Sequence, residues 1–563
     1  MIICGLKLTH DGTITLIENG QLVFSLEMEK LDNNRRYTGI EEMSVIPGIL
    51  KLYGYDVSAV DVFAVDGWGG TDKNALAIQP RLEIGNGFNR LAAYNNNEPF
   101  KFNIAPYHEE TLKHDVTEEW RFHGLKAGTY NLEYVSYLHA AGHIMGTYCT
   151  SPFTRGKESS YILVWDGGMY PRLYFFDVKT GKVENLGPIF LLIGNIYTIF
   201  SQHFGPFKVE GNFAKDDLSV AGKVMAYVAL GKVRKELFHY FDQIYTHNYD
   251  KPMGFANFFA NEFKKRIAGN GYLHEDILRS FHAYLEELLI KKLEKKIKRY
   301  NRNCRNLCMT GGCALNIKWN SAIRNTGMFE NIHIPPFPND SGSGIGAACC
   351  AMVKKDQITT LDWNVYQGPR VIKNNPARGW ISRACSLKKL AQHLYETNEP
   401  VVFLNGNAEL GPRALGNRSI LAPPVSAKMK DILNHVKKRE DYRPISPICL
   451  EQGAEKIFDP GTRDPYMLFD HKVRKEWVDK IPAVLHLDGT ARLQTLDPGE
   501  NPVVGELLLE YEKLTGIPLL CNTSANVKGS GFFPDIYSAT NWGRVNYVWC
   551  DFTLYEKENK IKF

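Results

Sequence analysis

A pattern of strands and turns that occurs twice in the first 190 residues constrains the fold of this chain most. Each copy runs strand, acidic glycine turn, strand, hairpin, strand. The first copy has strands at residues 2–6, 13–18 and 22–27, with Asp11-Gly12 in its first turn and Asn19-Gly20 as its hairpin. The second has strands at 161–165, 172–177 and 183–186, with Asp166-Gly167-Gly168 in the first turn. The pattern predicts a duplicated α/β unit, although with two copies a chance match stays open.

The periodicity beyond the repeat predicts further elements of the same part and then a second domain. An apolar stripe predicts a helix over residues 273–300, a strand at 307–309 precedes a Gly-Gly turn, and a helix of small residues covers 341–352. A polar stretch with Pro369 and Asn374-Asn375 follows. We therefore predict a first domain over 1–355, a linker over 356–375 and a second α/β domain over 376–563.

Bulk charge and hydropathy exclude some classes of protein. The 67 basic and 62 acidic residues give a net charge of +5, too even a balance to predict nucleic-acid binding. The most apolar run, residues 188–200, is broken by Gly194 and is shorter than the roughly 20 residues of a membrane span. We expect that run to be core, and we expect a cytoplasmic protein without a secretory signal or a membrane partner.

Two histidines and two aspartates are candidates for a metal site. His139 and His143 share one face of a predicted helix, Asp166 follows a strand, and Asp340 precedes a helix. Histidine pairs at this spacing more often serve packing or surface roles, so the pair alone is weak. Together the set suits Fe²⁺ or Mn²⁺ better than a structural zinc site. The sequence therefore predicts a divalent metal site as one of two possibilities, the other being packing or surface roles for the histidines. Mg²⁺ is a further candidate for the metal.

Glycine turns and a basic motif are candidates for binding phosphates. Gly167-Gly168 and Gly311-Gly312 adjoin predicted strand ends, where backbone amides can hold a nucleotide, although ordinary tight turns look the same. Residues 411–419 place two arginines among glycines, and further basic residues follow at 437–443 and 492. Converging guanidinium groups suit a phosphate, whereas scattered basic residues would be only a solvated surface.

These motifs, in this order, resemble the carbamoyltransferase family of antibiotic and nodulation-factor biosynthesis nearly end to end. The anchors are His10-Asp11, the His139/His143 helix, Asp166-Gly167-Gly168, residues 311–316, 339–342, 411–419, Arg443-Pro444, 486–492 and 522–524. The resemblance implies an N-terminal domain of the duplicated fold shared by actin, sugar kinases and heat-shock chaperone ATPases (ASKHA). It implies a C-terminal YrdC-like α/β domain.

The resemblance also implies a reaction and a set of site residues. Carbamoyl phosphate and ATP would give carbamoyl adenylate, and the hydroxyl of a small-molecule natural product would then take the carbamoyl group. The implied roles are listed by group: His10 as base; His139, His143, Asp166 and Asp340 on the metal; Gly167, Gly168, Gly311, Gly312 and Asn316 on the nucleotide; Arg413, Lys437, Arg443, Arg492 and Ser524 on carbamoyl phosphate. The alternative to Lys437 in binding carbamoyl phosphate is its neighbour Lys438.

Some residues depart from the family pattern, and some questions stay open. Gly12, Ala525 and residues 528–531 differ from the usual residues, which puts the local pocket shape in doubt more than the reaction. The alternatives are a threonylcarbamoyl-type tRNA-modification enzyme and a non-catalytic, nucleotide-regulated binding protein. The sequence does not name the hydroxyl acceptor. Residues 67–97 and 204–223 are candidates for shaping its site, with no physical reason to choose between them.

Overall fold

Two β-sheets form the centre of the N-terminal part. The computed structural model describes residues 1–33, 36–68, 81–83, 93–95, 98–109, 111–214, 217–246 and 252–563, so most of the first candidate acceptor region, 67–97, lies outside the described residues. The strands of this part are Ile2–Lys7 (β1), Thr13–Glu18 (β2), Gln21–Glu27 (β3), Val62–Asp66 (β4), Arg81–Glu83 (β5), Ala93–Asn95 (β6), Glu98–Asn103 (β7), Trp120–Ala127 (β8), Tyr130–Tyr137 (β9), Ser160–Val164 (β10), Arg172–Asp177 (β11), Lys182–Pro188 (β12), Asn306–Thr310 (β13) and Asn331–His333 (β14).

The two sheets share the same five-stranded topology, to which the first sheet adds β8 antiparallel to β9. Their orders are β3-β2-β1-β4-β9-β8 and β12-β11-β10-β13-β14. In each sheet an antiparallel meander of three strands is extended by two strands parallel to its first strand. The predicted repeat is therefore present, and its strands begin and end within one or two residues of the predicted positions. Asn19 and Gly20 both have positive φ, as a tight hairpin requires.

Helices pack between and outside the sheets. The helices of this part are Val45–Leu52 (α1), His139–Cys149 (α2), Ile196–Ser201 (α3), Ala221–Tyr227 (α4), Glu236–Tyr245 (α5), Pro252–Arg266 (α6), His274–Arg299 (α7), Ile317–Asn325 (α8) and Ser343–Asp356 (α9). Helix α9 packs on β1, β2 and β4, α2 packs on β10 and β13, and the two helices pack on each other. A Cβ on Gly346 would lie 2.2 Å from the carbonyl oxygen of Gly142, so glycine is what lets these helices approach.

An aromatic core covers the outer face of the second sheet. Phe200 stacks on Phe281 with ring centroids 3.9 Å apart, and Phe241 stacks on Phe263 at 4.5 Å. Helices α3, α5, α6 and α7 supply these rings. The apolar run at 188–200 contributes to this buried cluster, as predicted, because Phe190, Ile196 and Phe200 are all buried in it. No helix within the described ranges is long and apolar enough to cross a bilayer.

The C-terminal part is a mixed α/β layer around an eight-stranded sheet of order β15-β25-β24-β16-β17-β23-β18-β22. The strands of the whole C-terminal part, including those outside this sheet, are Trp380–Ala384 (β15), Val401–Leu404 (β16), Arg418–Ala422 (β17), Ser446–Leu450 (β18), Phe458–Asp459 (β19), His471–Val473 (β20), Thr490–Ala491 (β21), Gln494–Leu496 (β22), Leu519–Ser524 (β23), Tyr547–Cys550 (β24) and Thr553–Lys557 (β25). Its helices are Leu387–Thr397 (α10), Ala427–Val436 (α11), Glu451–Ile457 (α12), Pro502–Thr515 (α13) and Ile536–Trp542 (α14).

The stretch predicted as a linker packs on the N-terminal part. Helix α9 ends at Asp356, and no helix or strand of the structure lies between it and Trp380. Leu361 is nevertheless buried, and its amide donates to the carbonyl of Cys149 at 2.9 Å. Asp362 pairs with Gln21 in a parallel bridge at the edge of the first sheet. This stretch is therefore held along much of its length.

Candidate active site

The four predicted metal ligands converge on one buried point. One ligand atom from each of His139, His143, Asp166 and Asp340 lies within 4.8 Å of the others. The two Nε2 atoms are 3.1 Å apart, and Oδ1 of Asp340 is 3.4 Å from Nε2 of His139 and 3.6 Å from Nε2 of His143. All four residues are buried. The sequence-based grouping of these residues is thus reproduced in space.

Topology explains why these residues meet. His139 begins α2 directly after β9, Asp166 follows β10, and Asp340 lies in the short turn before α9. Lys7 and Asp66 end the parallel pair β1 and β4. The carboxyl ends of parallel strands lie at the same edge of a sheet, and the duplicated sheets bring two such edges together.

Outer contacts orient both imidazoles toward the same point. Nδ1 of His139 lies 2.9 Å from Oδ2 of Asp66. Nδ1 of His143 lies 3.3 Å from the hydroxyl of Thr310, which itself donates to the carbonyl of Pro338 at 3.1 Å and so accepts from the ring. Nδ1 of each ring is therefore engaged by an outer partner, and the two Nε2 atoms face each other and two carboxylates. A divalent cation fits this donor set, because imidazole nitrogens and carboxylate oxygens are its usual ligands and outer partners of this kind fix their orientation.

The remaining carboxylate oxygens are held by fixed donors. Oδ1 of Asp166 accepts from the amide of Gly312 at 2.8 Å, and its Oδ2 accepts from the hydroxyl of Tyr107. The ammonium of Lys7 lies 3.0 Å from Oδ2 of Asp340. Although burial opposes ionisation, Lys7 and the nearby imidazoles hold the pKa of Asp340 well below its usual value. Although burial and Asp340 oppose it, His139 and His143 lower the pKa of Asp166 as well, so both carboxylates are ionised, as ligands of a cation must be.

His10 lies beside this cluster on the turn between β1 and β2. Its Nδ1 is 3.0 Å from Oδ2 of Asp11, and its Nε2 is 3.6 Å from Oδ2 of Asp340. Trp68 meets the ring edge-on at 5.0 Å. The side chain keeps 34% of its surface exposed, whereas the four clustered residues are buried. His10 is thus an imidazole beside the cluster that a molecule from solvent can reach.

The glycine turns lie next to the cluster. Gly311 has a φ of 88°, and a Cβ there would lie 2.4 Å from the carbonyl oxygen of Trp165. A Cβ on Gly167 would lie 2.5 Å from the amide oxygen of Asn195, and one on Gly168 would press on the ring of Tyr107. These turns therefore have a packing reason to be glycine, and nucleotide contact at them stays a prediction. Asn316 caps α8, its side-chain oxygen accepting from the amides of Lys318 and Trp319.

A second polar site is a cavity of about 110 Å³ lined mainly by the C-terminal part. Its lining includes five arginines and the last residue of β23: Arg36, Arg413, Arg439, Arg443, Arg492 and Ser524. Met225, Ala226 and Ala229, at α4 and its C-terminal extension, also line it. Predicted residues from four separate stretches of the chain, Arg413, Arg443, Arg492 and Ser524, therefore line the same cavity.

The arginines repel one another in this cavity. Burial and the neighbouring guanidinium groups lower the pKa of Arg413 to about 10 and that of Arg439 to about 9. The same causes lower the pKa of Arg492 well below its usual value. The close acidic partner of Arg443 is Glu440, at 3.9 Å. An anion in the cavity would offset this excess of positive charge.

Lys437, which was predicted to bind carbamoyl phosphate, is not among the described residues that line the cavity. Its ammonium donates to the carbonyls of Ser524 and Asn526 at 2.6 and 2.7 Å, and to the side-chain oxygen of Asn526. All three of its donors are therefore used, and the lysine is 3% exposed. Arg439 lines the cavity in its place, donating to the hydroxyls of Thr523 and Ser524 at 3.0 and 3.4 Å. Lys438 is exposed.

Several residues of both sites were not found from the sequence. Lys7 follows the predicted strand 2–6, and Asp66 ends β4, which was not predicted, so a polar residue after an apolar run was the available signal. Tyr107 stacks on His139 at 4.6 Å, and its position in an irregular stretch gave no signal. Arg36 comes from a loop far from the other arginines in sequence. These residues reach their sites only through the tertiary fold.

Comparison with known proteins identifies the family. The model described as "Carbamoyltransferase N-terminus" matches residues 2–349, and "Carbamoyltransferase C-terminus" matches 391–551. The chain belongs to the carbamoyltransferase family. The resemblance inferred from the sequence is thereby confirmed, as is the enzyme class.

Two relatives align over nearly their whole length. Nodulation protein U of Rhizobium tropici is 46% identical, over 99% of this chain and 96% of the relative. The 3'-hydroxymethylcephem-O-carbamoyltransferase of Streptomyces clavuligerus is 30% identical, over 99% of both chains. Among solved structures, full-length HypF in its phosphate- and nucleotide-bound form aligns with 63% of this chain and 56% of its own, at 12% identity and a TM-score of 0.33, too low to support an argument.

Proposed function

We propose that this carbamoyltransferase is an ATP-dependent O-carbamoyltransferase that makes carbamoyl adenylate and carbamoylates a hydroxyl of a small-molecule natural product. One observation carries the proposal: the chain holds two different polar sites, a buried imidazole–carboxylate cluster and an arginine-lined cavity. The first suits a cation and the second an anion, so a two-step reaction with a phosphorylated donor has a place for each step.

The arginine-lined cavity is the proposed site for carbamoyl phosphate. Arg413, Arg443, Arg492 and Ser524 line it, as the family resemblance implied, and Arg439 joins them. Guanidinium groups match phosphate oxygens in pairs, which makes the contact both strong and directional. Lys437 supports this site indirectly, because it fixes the turn that carries Ser524.

The donor is activated in two proposed steps, hydrolysis of carbamoyl phosphate and then adenylation of the carbamate. Water cleaves carbamoyl phosphate to carbamate and inorganic phosphate. A carbamate oxygen then attacks the α-phosphorus of ATP, the bond to the β-phosphate oxygen breaks, and pyrophosphate leaves. Gly167, Gly168, Gly311, Gly312 and Asn316 are the proposed nucleotide contacts, because glycine turns next to strand ends let a ligand approach the backbone closely.

His139, His143, Asp166 and Asp340 are the proposed holders of a divalent metal, Fe²⁺ or Mn²⁺, with Mg²⁺ as a further candidate. Mixed imidazole and carboxylate donors favour the first two ions. A bound divalent ion would supply positive charge that stabilises developing negative charge on phosphate or carbonyl oxygens.

Transfer needs a base at the acceptor hydroxyl, and His10 is the proposed residue. Asp11 and Asp340 orient its ring, and part of its surface is open to solvent. As the hydroxyl attacks the carbamoyl carbon, His10 takes its proton and the bond to the AMP oxygen breaks, so that AMP leaves. The cephem relative is named for a hydroxymethyl acceptor, which supports a small alcohol as the acceptor class here.

The proposed fold assignment follows from topology. Two sheets of matching order, with helices α2 and α9 between them, support the ASKHA fold for the N-terminal part. The C-terminal part has a mixed eight-stranded sheet with a basic cavity at its loops, which supports a YrdC-like domain.

Pyrophosphate release tests the function. Protein loaded with metal should release pyrophosphate from ATP only when carbamoyl phosphate is present, and mass spectrometry should show a carbamoyl mass gain on hydroxyl compounds. The matched control is Arg492→Ala, which keeps the metal cluster but removes one arginine of the cavity. Failure of the metal-loaded wild type to release pyrophosphate would remove the adenylate step.

A further inference from the structure

One arginine of the cavity comes from the other end of the chain. Arg36 lies between β3 and α1 in the N-terminal part, whereas the other four arginines belong to loops of the C-terminal part. Its backbone amide donates to the carbonyl of Gly529 at 2.9 Å, which fixes the loop against the C-terminal part. The cavity is therefore completed across the boundary between the two parts.

The side chain of Arg36 has unused hydrogen-bonding capacity. Its Nε is buried and has no hydrogen-bond partner within the described ranges, and the same is true of Nε of Arg413. An unsatisfied buried guanidinium donor is costly, so a ligand that accepts from it is favoured. Although burial opposes the charge, Tyr37, Glu29 and Asp11 raise the pKa of Arg36, whereas the pKa of each of the other four cavity arginines is lowered.

The segment 36–39 also contacts the turn that carries His10. The amide of Asp11 donates to the carbonyl of Tyr37 at 3.2 Å, and that of Gly12 donates to the carbonyl of Thr38 at 2.9 Å. A Cβ on Gly12 would lie 2.7 Å from the carbonyl carbon of Gly39, so the two backbones are in close contact. Segment 36–39 therefore connects Arg36 to the His10 turn through backbone contacts.

We propose that Arg36 is a ligand of the donor phosphate, supplied by the N-terminal part, and that its engagement orders the His10 turn through segment 36–39. This inference rests on the proposed function, because it takes the cavity to be the site of carbamoyl phosphate. It assigns a binding residue outside the C-terminal loops, and it gives donor binding a route to the base of the second step.

Binding of phosphonoacetamide, a stable analogue of carbamoyl phosphate, tests the assignment by calorimetry on the full chain. Arg36→Ala should weaken binding by about 10- to 150-fold, as expected for a lost charge-assisted hydrogen bond. The control Arg378→Ala, an exposed arginine outside the cavity lining, should bind like the wild type. Arg36→Lys should recover only part of the affinity, because an ammonium lacks the planar fork.

Hydrogen exchange tests the link to His10. The analogue should slow exchange in a peptide that covers Asp11 and Gly12 in the wild type, but not in Arg36→Ala. Wild-type affinity in Arg36→Ala, or in Arg36→Lys if the alanine variant does not fold, would overturn the assignment. Absence of binding by both the wild type and Arg378→Ala would instead reject the proposed donor site. If the analogue slowed exchange in Arg36→Ala as much as in the wild type, the link to His10 would be overturned, but the assignment of Arg36 as a ligand would not.

Discussion

At the scale of single residues, a substitution of His10 distinguishes the two proposed steps, because His10 is proposed to act only in carbamoyl transfer. It is a partly exposed imidazole beside a buried cluster, and it is not among the residues that line the arginine-lined cavity. His10→Asn keeps a polar side chain but cannot accept a proton, so carbamoyl transfer should fall by about 10²- to 10⁴-fold. Pyrophosphate release with carbamoyl phosphate should stay close to wild type. Equal loss of both activities would show that His10 is not a dedicated base.

The adjacent lysines 437 and 438 give a matched stability test. Lys437→Met removes three hydrogen bonds to buried carbonyl and amide oxygens, and should lower the free energy of unfolding by about 1–3 kcal/mol. Lys438→Met changes an exposed side chain, and both residues must adopt the same positive φ at this position. Its free energy of unfolding should therefore stay within about 0.5 kcal/mol of the wild-type value. Urea unfolding measures both. Equal effects of the two substitutions would contradict the supporting role of Lys437.

The same lysine shows what residue types alone predict. The motif correctly indicated a cluster of cations, since Arg413, Arg443 and Arg492 share the cavity. It could not say which way each side chain points, because a residue just after α11 faces either the cavity or the turn 524–526. Arg36 was beyond prediction for a different reason: its contribution depends on how the two parts of the chain pack.

At the scale of elements, the metal cluster depends on the close packing of α2 against α9. Gly346→Ala would place a methyl group 2.2 Å from the carbonyl oxygen of Gly142, which lies between His139 and His143. The overpacked helices must separate, so we expect a loss of about 1–3 kcal/mol in unfolding free energy. Mn²⁺ affinity, measured by calorimetry, should fall as well, because two of the proposed ligands move.

Gly48→Ala in α1 is the control for that change. Nothing lies within 4 Å of the added Cβ, and φ is not positive there. Alanine should therefore stabilise the helix by about 0.4–1 kcal/mol and leave Mn²⁺ affinity unchanged. Unchanged Mn²⁺ affinity in Gly346→Ala would show that α2 tolerates displacement without loss of the site.

Strand patterns predicted more of the fold than the site at this scale. Alternation and turn residues located β2 and β11 to the residue, because these strands are bounded by polar turns. The helix predicted over 273–300 is α7, His274–Arg299. The boundary at 356–375 was harder to interpret. Its polar composition suggested a spacer, yet Leu361 and the pairing of Asp362 with Gln21 hold it to the first sheet.

At the scale of the whole molecule, a buried ion pair joins the two parts. The ammonium of Lys30 lies 2.7 Å from Glu27 and donates to the carbonyls of Glu409 and Gly411, at 2.6 Å each. Oε1 of Glu27 accepts from the amide of Gly411 at 2.7 Å. This contact fixes the start of the loop that carries Arg413, so the arginine-lined cavity depends on the N-terminal part here as well as at Arg36.

Glu27 should make the stability of the assembled molecule depend on pH. Burial raises its pKa from 4.5 to about 7, against the opposing effect of Lys30. Between these values the folded chain holds a proton that the unfolded chain releases, so stability falls as pH rises through this window and levels off above it. The slope from this group is at most about 1.4 kcal/mol per pH unit. Glu27→Gln cannot titrate and should lose that contribution.

The measurement is the free energy of unfolding of wild type and Glu27→Gln by urea at pH 5, 6, 7 and 8. Their difference cancels groups that titrate alike in both proteins, and it should change in favour of Glu27→Gln as pH rises. Glu396→Gln, at an exposed carboxylate in α10, should run parallel to the wild type. A constant difference between wild type and Glu27→Gln across this range would show that Glu27 stays ionised in the folded protein. The join between the two parts would then be a permanent ion pair with Lys30.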